Sequence, residues 1–339
     1  LAGRREQGHL DRGRMTLLCR TAENLYWLGR YLERAENVAR MVDVEYHAEI
    51  EAGASSGDTG DTWNALITAT GAHALYAEAN ERAASTGGIA PGDFLVLSIE
   101  NPNSIRSVVS EARNLARGLR EFISREIWSE INGLYLVLSR RNHLEHPEIF
   151  DICTTIKRSI ETVFGLYDNT VLLEEGREWF RCGAYIERAD MTSRILDAKY
   201  HILLPEVSDV GGPLDRFQWA AILRSASAWE AFRKTVRGTP TAPRVTELLI
   251  HNQRFPRSLI FCLMALLRHY KNATAASPPV MRAPAERAIT LLQLDVDGVT
   301  TANIVESGLH EFLDDFQKRL IEINTALSES IFRVLPEDV

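Results

Sequence analysis

Residues 25–47, LYWLGRYLERAENVARMVDVEYH, return at residues 179–201 as WFRCGAYIERADMTSRILDAKYH, with an offset of 154 and no gap. Nine of the 23 aligned positions are identical: Gly29/Gly183, Tyr31/Tyr185, Glu33/Glu187, Arg34/Arg188, Ala35/Ala189, Arg40/Arg194, Asp43/Asp197, Tyr46/Tyr200 and His47/His201. Most of the surrounding sequence has drifted apart, so charged residues kept in both copies are not ordinary surface decoration. The echo sets an architecture and points at candidate sites, but it names no reaction.

Both copies have helical periodicity. Leu25, Leu28, Leu32, Ala35, Ala39, Val42 and Tyr46 advance by alternating steps of three and four, and Trp179, Cys182, Ile186, Ala189, Ser193, Leu196 and Tyr200 repeat the pattern. The small residues Ala35, Ala39, Ala189 and Ser193 suit close helix approach. Ile105, Val108, Ala112, Leu115, Leu119 and Phe122 form another stripe, and residues 298–334 read as one long amphipathic stretch. Turn-rich breaks fall at 52–61, 85–93, 205–213, 238–243 and 275–284, and no stretch alternates as a strand does. These patterns predict an all-α fold of ten to twelve helices.

The echo extends further. Trp63 in TWNALI resembles Trp219 in QWAAIL, and NPNSIRS (101–107) aligns with NQRFPRS (252–258) at an offset of 151. The expected organisation is a helical bundle of two tandem pseudo-symmetric multi-helix repeats, 15–147 and 148–339, packed as one body about a pseudo-two-fold axis. Residues 1–14, polar and rich in Arg and Gly before Met15, read as a disordered leader.

Composition narrows the function classes. Hydrophobic residues make up 45% and charged residues 25%, as in soluble globular proteins. A formal net charge of −8 argues against general nucleic-acid binding and against docking on anionic lipid. The longest apolar run, SLIFCLMALL at 258–267, is about half of a membrane span and reads as a buried helix. The four cysteines are scattered without a C-x-x-C, which fits free thiols in a reducing cytoplasm.

Together, NLYWLGRYLERAENVARMVDV, its echo YIERADMTSRILD, and the ENPNSIRS and NQRFPRS segments resemble the bacterial Alpha-E family, an all-helical domain named for its repeated Glu-Arg pair. The resemblance covers nearly everything from Met15 onward and places the Glu-Arg pairs at Glu33-Arg34 and Glu187-Arg188. It implies no established activity. Members are typically encoded beside, or fused to, ATP-grasp-type carboxylate–amine ligases and transglutaminase-like proteases. It therefore implies a role in making, modifying or cleaving amide-linked compounds, with any ligase on another chain, since no ATP-grasp or papain-like stretch is present here.

On a helical wheel of about 100° per residue, Gly29, Glu33, Glu36, Arg40, Asp43 and His47 form one polar strip beside the apolar stripe. Gly183, Glu187, Asp190, Arg194, Asp197 and His201 repeat it. Arg34 lies about 100° from Glu33, so the pair cannot form a local dyad, and Arg34 and Arg188 are read as pointing outward, available to a partner. Facing strips allow three readings. The leading one is a structural ion-pair network, with Glu36–Arg40 and Asp43–His47 as i,i+4 pairs. The second is a ligand pocket at the repeat interface. The third is a metal site, disfavoured because the Glu-x-x-His spacing of helical di-iron sites is absent and arginines oppose a cation.

Arg106 and Arg257 sit near expected helix starts, where the dipole opposes a cation, so each is expected to have a dedicated partner. Glu33 or Glu187 is the favoured partner, with an anionic ligand as the alternative. Arg106, Arg113, Arg117 and Arg120 share one face that the second half lacks. The candidate binding set is thus Glu33, Arg34, Arg40, Asp43, His47 and Arg106 with Glu187, Arg188, Arg194, Asp197, His201 and Arg257.

Phosphate-binding glycine loops, a G-x-S-x-G elbow and H-E-x-x-H are all absent, and HLEH at 143–146 reads as a capping turn. No cofactor is expected. The expected function is a non-catalytic cytoplasmic helical partner of an ATP-grasp-type ligase or a transglutaminase-like protein. The alternative is a helical domain with a charged Glu/Arg/His pocket that binds or acts on an amine, peptide or acyl-phosphate.

Overall fold

The apolar stripe of the first echo is a helix of 34 residues, Cys19–Ala52 (α1), and that of the second is Glu175–His201 (α8). The computed structural model describes residues 17–52, 59–201 and 210–333. The proposed leader at 1–14 and most of the break at 205–213 lie outside them. The other α-helices, in chain order, are α2 (Thr59–Ala69), α3 (His73–Arg82), α4 (Pro91–Val96), α5 (Ile105–Gly118), α6 (Arg125–Ser139) and α7 (Glu148–Thr170) before α8. After it come α9 (Pro213–Ser225), α10 (Trp229–Thr235), α11 (Ala242–Thr246), α12 (Leu259–Ala273), α13 (Pro279–Gly298), α14 (Thr301–Ser307) and α15 (Leu309–Leu327). The described residues thus hold fifteen α-helices and no strand, more helices than the periodicity predicts.

The excess has local causes. The stretch at 298–334 is not one helix. Gly308, at φ 114, ends α14 and starts α15, and a π-helical turn at Ser328–Phe332 follows α15. Serine caps fix two important starts: Ser104 accepts from the Ser107 N–H to open α5, and Ser258 accepts from the Phe261 N–H to open α12. HLEH, read from the Pro147 that follows as a capping turn at a helix end, lies instead at a helix start: Pro147 is the N-cap of α7 and the Glu148 side chain accepts the Glu145 N–H.

α1 and α8 lie at the centre. Their predicted stripes are buried, from Leu25 to Tyr46 and from Trp179 to Leu196. α1 packs against α5, α7 and α9, while α8 packs against α12, α15 and α2. Trp63 on α2 and Trp219 on α9 are both buried. The two long helices also pack on each other, running in the same direction. Gly176 meets Leu25, Gly29 meets Phe180 and Ala184, and Gly183 meets Tyr26. A Cβ on Gly29 would fall inside the Phe180 carbonyl oxygen and 3.0 Å from the Ala184 nitrogen. One on Gly183 would fall inside the Tyr26 carbonyl group. Backbone cannot swing aside, so only glycine allows this crossing. The close approach is therefore made at these glycines, which the wheel places in the polar strip, ahead of the alanines expected to make it.

The apolar stripe of α1 centres roughly 225° from Glu33, but Tyr26 and Met41, on the opposite side of the wheel, are buried as well. α1 is therefore covered on two sides. Among the described residues no helix is long and apolar enough to cross a membrane.

Candidate functional site

One turn beyond the glycine crossing, the Glu-Arg steps interlock. Arg188 of α8 reaches Glu33 of α1, with Nε donating to Oε1 at 2.8 Å and Nη2 to Oε2 at 2.7 Å. Arg34 of α1 returns the contact to Glu187 of α8, Nε to Oε1 and Nη2 to Oε2 at 3.1 Å. Each pair is a two-pronged guanidinium–carboxylate fork across the helix interface. Neither Glu33 nor Glu187 exposes any surface. Arg34 and Arg188 are not outward-facing, as the wheel suggests, because the direction assigned to solvent is where the other long helix packs.

Each glutamate takes a second arginine from a different place. Arg257, just ahead of the α12 cap, donates to Glu33 at 3.2 Å, to Asn37 Oδ1 at 2.9 Å and to Glu36 at 2.9 Å. Arg30 of α1 donates Nε to Glu187 at 2.8 Å and Nη1 to Asn324 at 3.0 Å, with its guanidinium over the Trp27 ring. Burial alone would push both carboxyls up. The arginine charges and hydrogen bonds outweigh burial and hold both below the usual carboxylate range. Burial would likewise lower the Arg188 and Arg30 guanidiniums, and the glutamates reverse that. Both glutamates are thus ionised, buried and saturated with donors. Groups in that state neither accept nor release a proton readily near neutral pH.

Further along, the strip opens toward solvent. Arg40 bridges Glu36 (Nε–Oε1 3.0 Å) and Glu161 (2.7 Å). Arg194 repeats the first contact on Asp190 at 2.9 Å. Asp43 pairs with Lys157 of α7 at 2.7 Å and only loosely with His47, 3.8 Å away. His47 is half exposed, edge-on to Phe150. Asp197 accepts from His310 Nδ1 of α15 at 2.7 Å. The side chain of His201 lies outside the described residues.

Arg106 does not join the cluster: it donates to the backbone carbonyl of Arg141 at 3.2 Å. Its pairing with Arg257 at an offset of 151 is therefore corrected by the caps. Ser104 and Ser258 are both N-caps, which aligns Asn103, not Arg106, with Arg257. Asn103 accepts from Arg34 Nη1 at 2.7 Å, while Arg257 reaches Glu33. Arg257 precedes its cap, so the helix dipole argument does not apply to it. Glu33, one of the two partners expected, is among those it has, beside Glu36 and Asn37.

The described residues hold no group of three or more His, Cys, Asp or Glu suited to a metal ion. Two cavities, one beside Val236 and Val305 and one beside Tyr76 and His143, are lined by none of the cluster residues.

Comparison with known proteins adds the lineage. Residues 17–332 match the family model described as a predicted alpha-helical domain with a conserved ER motif. The chain belongs to the Alpha-E family. Uncharacterized proteins of Mycobacterium bovis and of Mycobacterium tuberculosis (strain CDC 1551) are each 24% identical to it over 282 residues. A protein from the H37Rv strain of M. tuberculosis, also uncharacterized, is 23% identical. Each match covers 76% of the Alpha-E chain but 30% of the relative, so the chain spans less than a third of their length. No solved structure matches significantly.

Several residues of this Alpha-E cluster escape a reading of the sequence: Arg30, Asn37, Asn103, Lys157, Glu161, His310 and Asn324. Asn37 carries a signal that could have found it, since at i+4 from Glu33 it donates Nδ2 to both the Glu33 carboxylate, at 3.0 Å, and its backbone carbonyl, at 2.8 Å. The others come from different helices, from the turn ahead of α5 (Asn103) or from the far side of α1, and no spacing announces them.

Proposed function

We propose that this Alpha-E chain is a non-catalytic cytoplasmic partner that acts with an ATP-grasp-type carboxylate–amine ligase or a transglutaminase-like protease in making or modifying amide-linked compounds. The observation that carries this reading is the state of the Glu-Arg cluster. Its two glutamates are dry, ionised and occupied by arginines, which suits a clamp joining two long helices and does not suit a group that meets substrate. The greater length of the mycobacterial relatives also favours it, because there the segment similar to this chain is one part of a larger protein. The scattered free cysteines suit a reducing compartment.

The same reading takes the body as two tandem pseudo-symmetric repeats, 15–147 and 148–339. Its support is the reciprocity of contacts: Gly29 on Phe180 with Gly183 on Tyr26, and Arg34 on Glu187 with Arg188 on Glu33. The helix neighbours also correspond, α5 and α7 around α1 against α12 and α15 around α8.

Co-expression is the test. The chain is produced with the ligase and the transglutaminase-like protein encoded nearest its own gene, purified, and assayed for association and for turnover of the enzyme. Association with a changed rate is expected. Failure to associate with either, and no effect on either rate, overturns the proposal.

One observation favours a second reading, a charged ligand site at the same seam. Around Glu187 and Asp190 stand Arg30, Arg34 and Arg194, a surplus of positive charge, and among the described residues Arg194 donates only its Nε, to Asp190. An acyl-phosphate or a peptide carboxylate would answer that surplus. Binding of such an anion that is lost in Arg194→Gln would favour this reading over the first.

A further inference from the structure

A cavity of about 770 Å³ lies away from the Glu-Arg cluster, between the end of α3, the turn entering α4 and the loop joining α6 to α7. One side of it is organised around a histidine. Asp93, in the first turn of α4, accepts from His143 Nδ1 through Oδ2 and from the Leu144 backbone N–H through Oδ1 at 2.9 Å. Both carboxylate oxygens are committed, so the ring is held by a fixed partner and Nε2 is the nitrogen left to meet an occupant.

The rest of the lining is rich in donors. Asn80 uses Oδ1 to accept the Ile89 N–H at 3.0 Å, which leaves its Nδ2 to donate. Asn142 lines the same cavity with an exposed amide that has no partner among the described residues. Tyr76 already spends its hydroxyl on the Ile89 carbonyl at 2.9 Å and presents ring surface, and Leu97 adds an apolar wall. A carboxylate already lies near Nε2: Glu145 Oε1 is 3.9 Å away, on a side chain that is largely exposed and free to leave.

We propose that this cavity binds a small organic carboxylate with a short apolar body, the anion on His143 Nε2–H and the Asn80 and Asn142 amides, the body against Tyr76 and Leu97. The site is independent of the Glu-Arg cluster and of the partner reading. The groups facing the ring are Asp93 from α4, Glu145 from the loop and Glu148 from the head of α7, the last paired with Arg141 at 2.9 Å. The hydrogen bond that His143 donates to Asp93, and then the Asp93 charge, raise the histidine above its ordinary value. The charged donor therefore persists to higher pH than in an unpaired histidine and is lost as pH rises through that raised value, and affinity falls with it.

The test uses the full chain, butyrate as probe and butyramide as its uncharged isostere, with the His143 ring resonances followed by NMR. Butyrate is expected to shift them saturably in the millimolar range, and butyramide not to. His143→Gln abolishes the accompanying butyrate shift of the Asn80 and Asn142 side-chain amide resonances, with an unchanged circular-dichroism spectrum and melting point. Glu145→Gln, which removes the rival carboxylate, tightens butyrate binding several-fold, a result that a purely structural histidine does not produce. Absence of a saturable butyrate shift, equal binding of butyramide, or unchanged affinity in Glu145→Gln each overturns the proposal.

Discussion

Truncating Arg188 is the sharpest test of how the two long helices are joined. Glu33 accepts four hydrogen bonds: Arg188 Nε and Nη2, Asn37 Nδ2 and Arg257 Nη1. Arg188→Ala removes two of them and leaves Oε2, in a fully buried side chain, with no donor among the described residues. An ionised carboxylate stripped of its main partner in a dry interface costs about 3–5 kcal/mol. Arg257→Ala removes one bond each from Glu33, Glu36 and the buried Asn37 amide oxygen, while Arg188 keeps its fork on Glu33 and Arg40 keeps Glu36. That loss is worth about 1.5–3 kcal/mol, the scale of a hydrogen bond to a charged group. The predicted order is therefore Arg188→Ala well below Arg257→Ala, with Arg34→Ala close to Arg188→Ala because Glu187 Oε1 is orphaned in the same way. Urea unfolding followed by circular dichroism measures this, provided that the slope with denaturant is unchanged. If Arg188→Ala loses less than about 1 kcal/mol, the value of an exposed ion pair, or if Arg257→Ala loses more than Arg188→Ala, the buried-clamp reasoning fails.

Gly29→Ala and Gly183→Ala should each destabilise the protein by at least about 1–3 kcal/mol, the scale of overpacking, because the new Cβ meets backbone of the opposite helix. Gly133→Ala, with open space around it, should be neutral or slightly stabilising in the same urea titration. Acid unfolding follows from the depressed carboxyls. Glu33 and Glu187 contribute stability that is fully present above the unfolded value of 4.5 and is lost as pH falls through their lowered folded values. Glu33→Gln should flatten that acid limb, and an unchanged limb would contradict the assignment. Native alkylation with iodoacetamide at neutral pH should modify Cys19 and spare Cys153, Cys182 and Cys262. Burial pushes the thiols of Cys153 and Cys262 up to about 12, and that of Cys182 well above the ordinary value. Peptide mass mapping would show any breach of that pattern.

Some of the candidate site is legible in the order of the residues. The step of four places Arg40 on Glu36, and the wheel shows that Glu33 and Arg34 do not bond each other. It misjudges Arg34 because a wheel has one apolar stripe and assigns everything else to water. α1 is covered on two sides, so its polar side is an interface too. Arg106 fails for another reason. Matching letters across a loop is unsafe when the loops differ in length, and the serine caps, which mark where each helix begins, give the correct register.

The sequence by itself determined that the chain is helical, that its two echoing segments are long central helices and that their apolar stripes are buried, because periodicity is a property of a single helix. Only the tertiary structure decided which glutamate each arginine serves, where the helices cross and what flanks His143. Those depend on residues 50 to more than 200 positions apart meeting in space. A charged side chain carries no record in its neighbours of the partner that neutralises it. Dry burial makes that partner obligatory, and packing alone selects it.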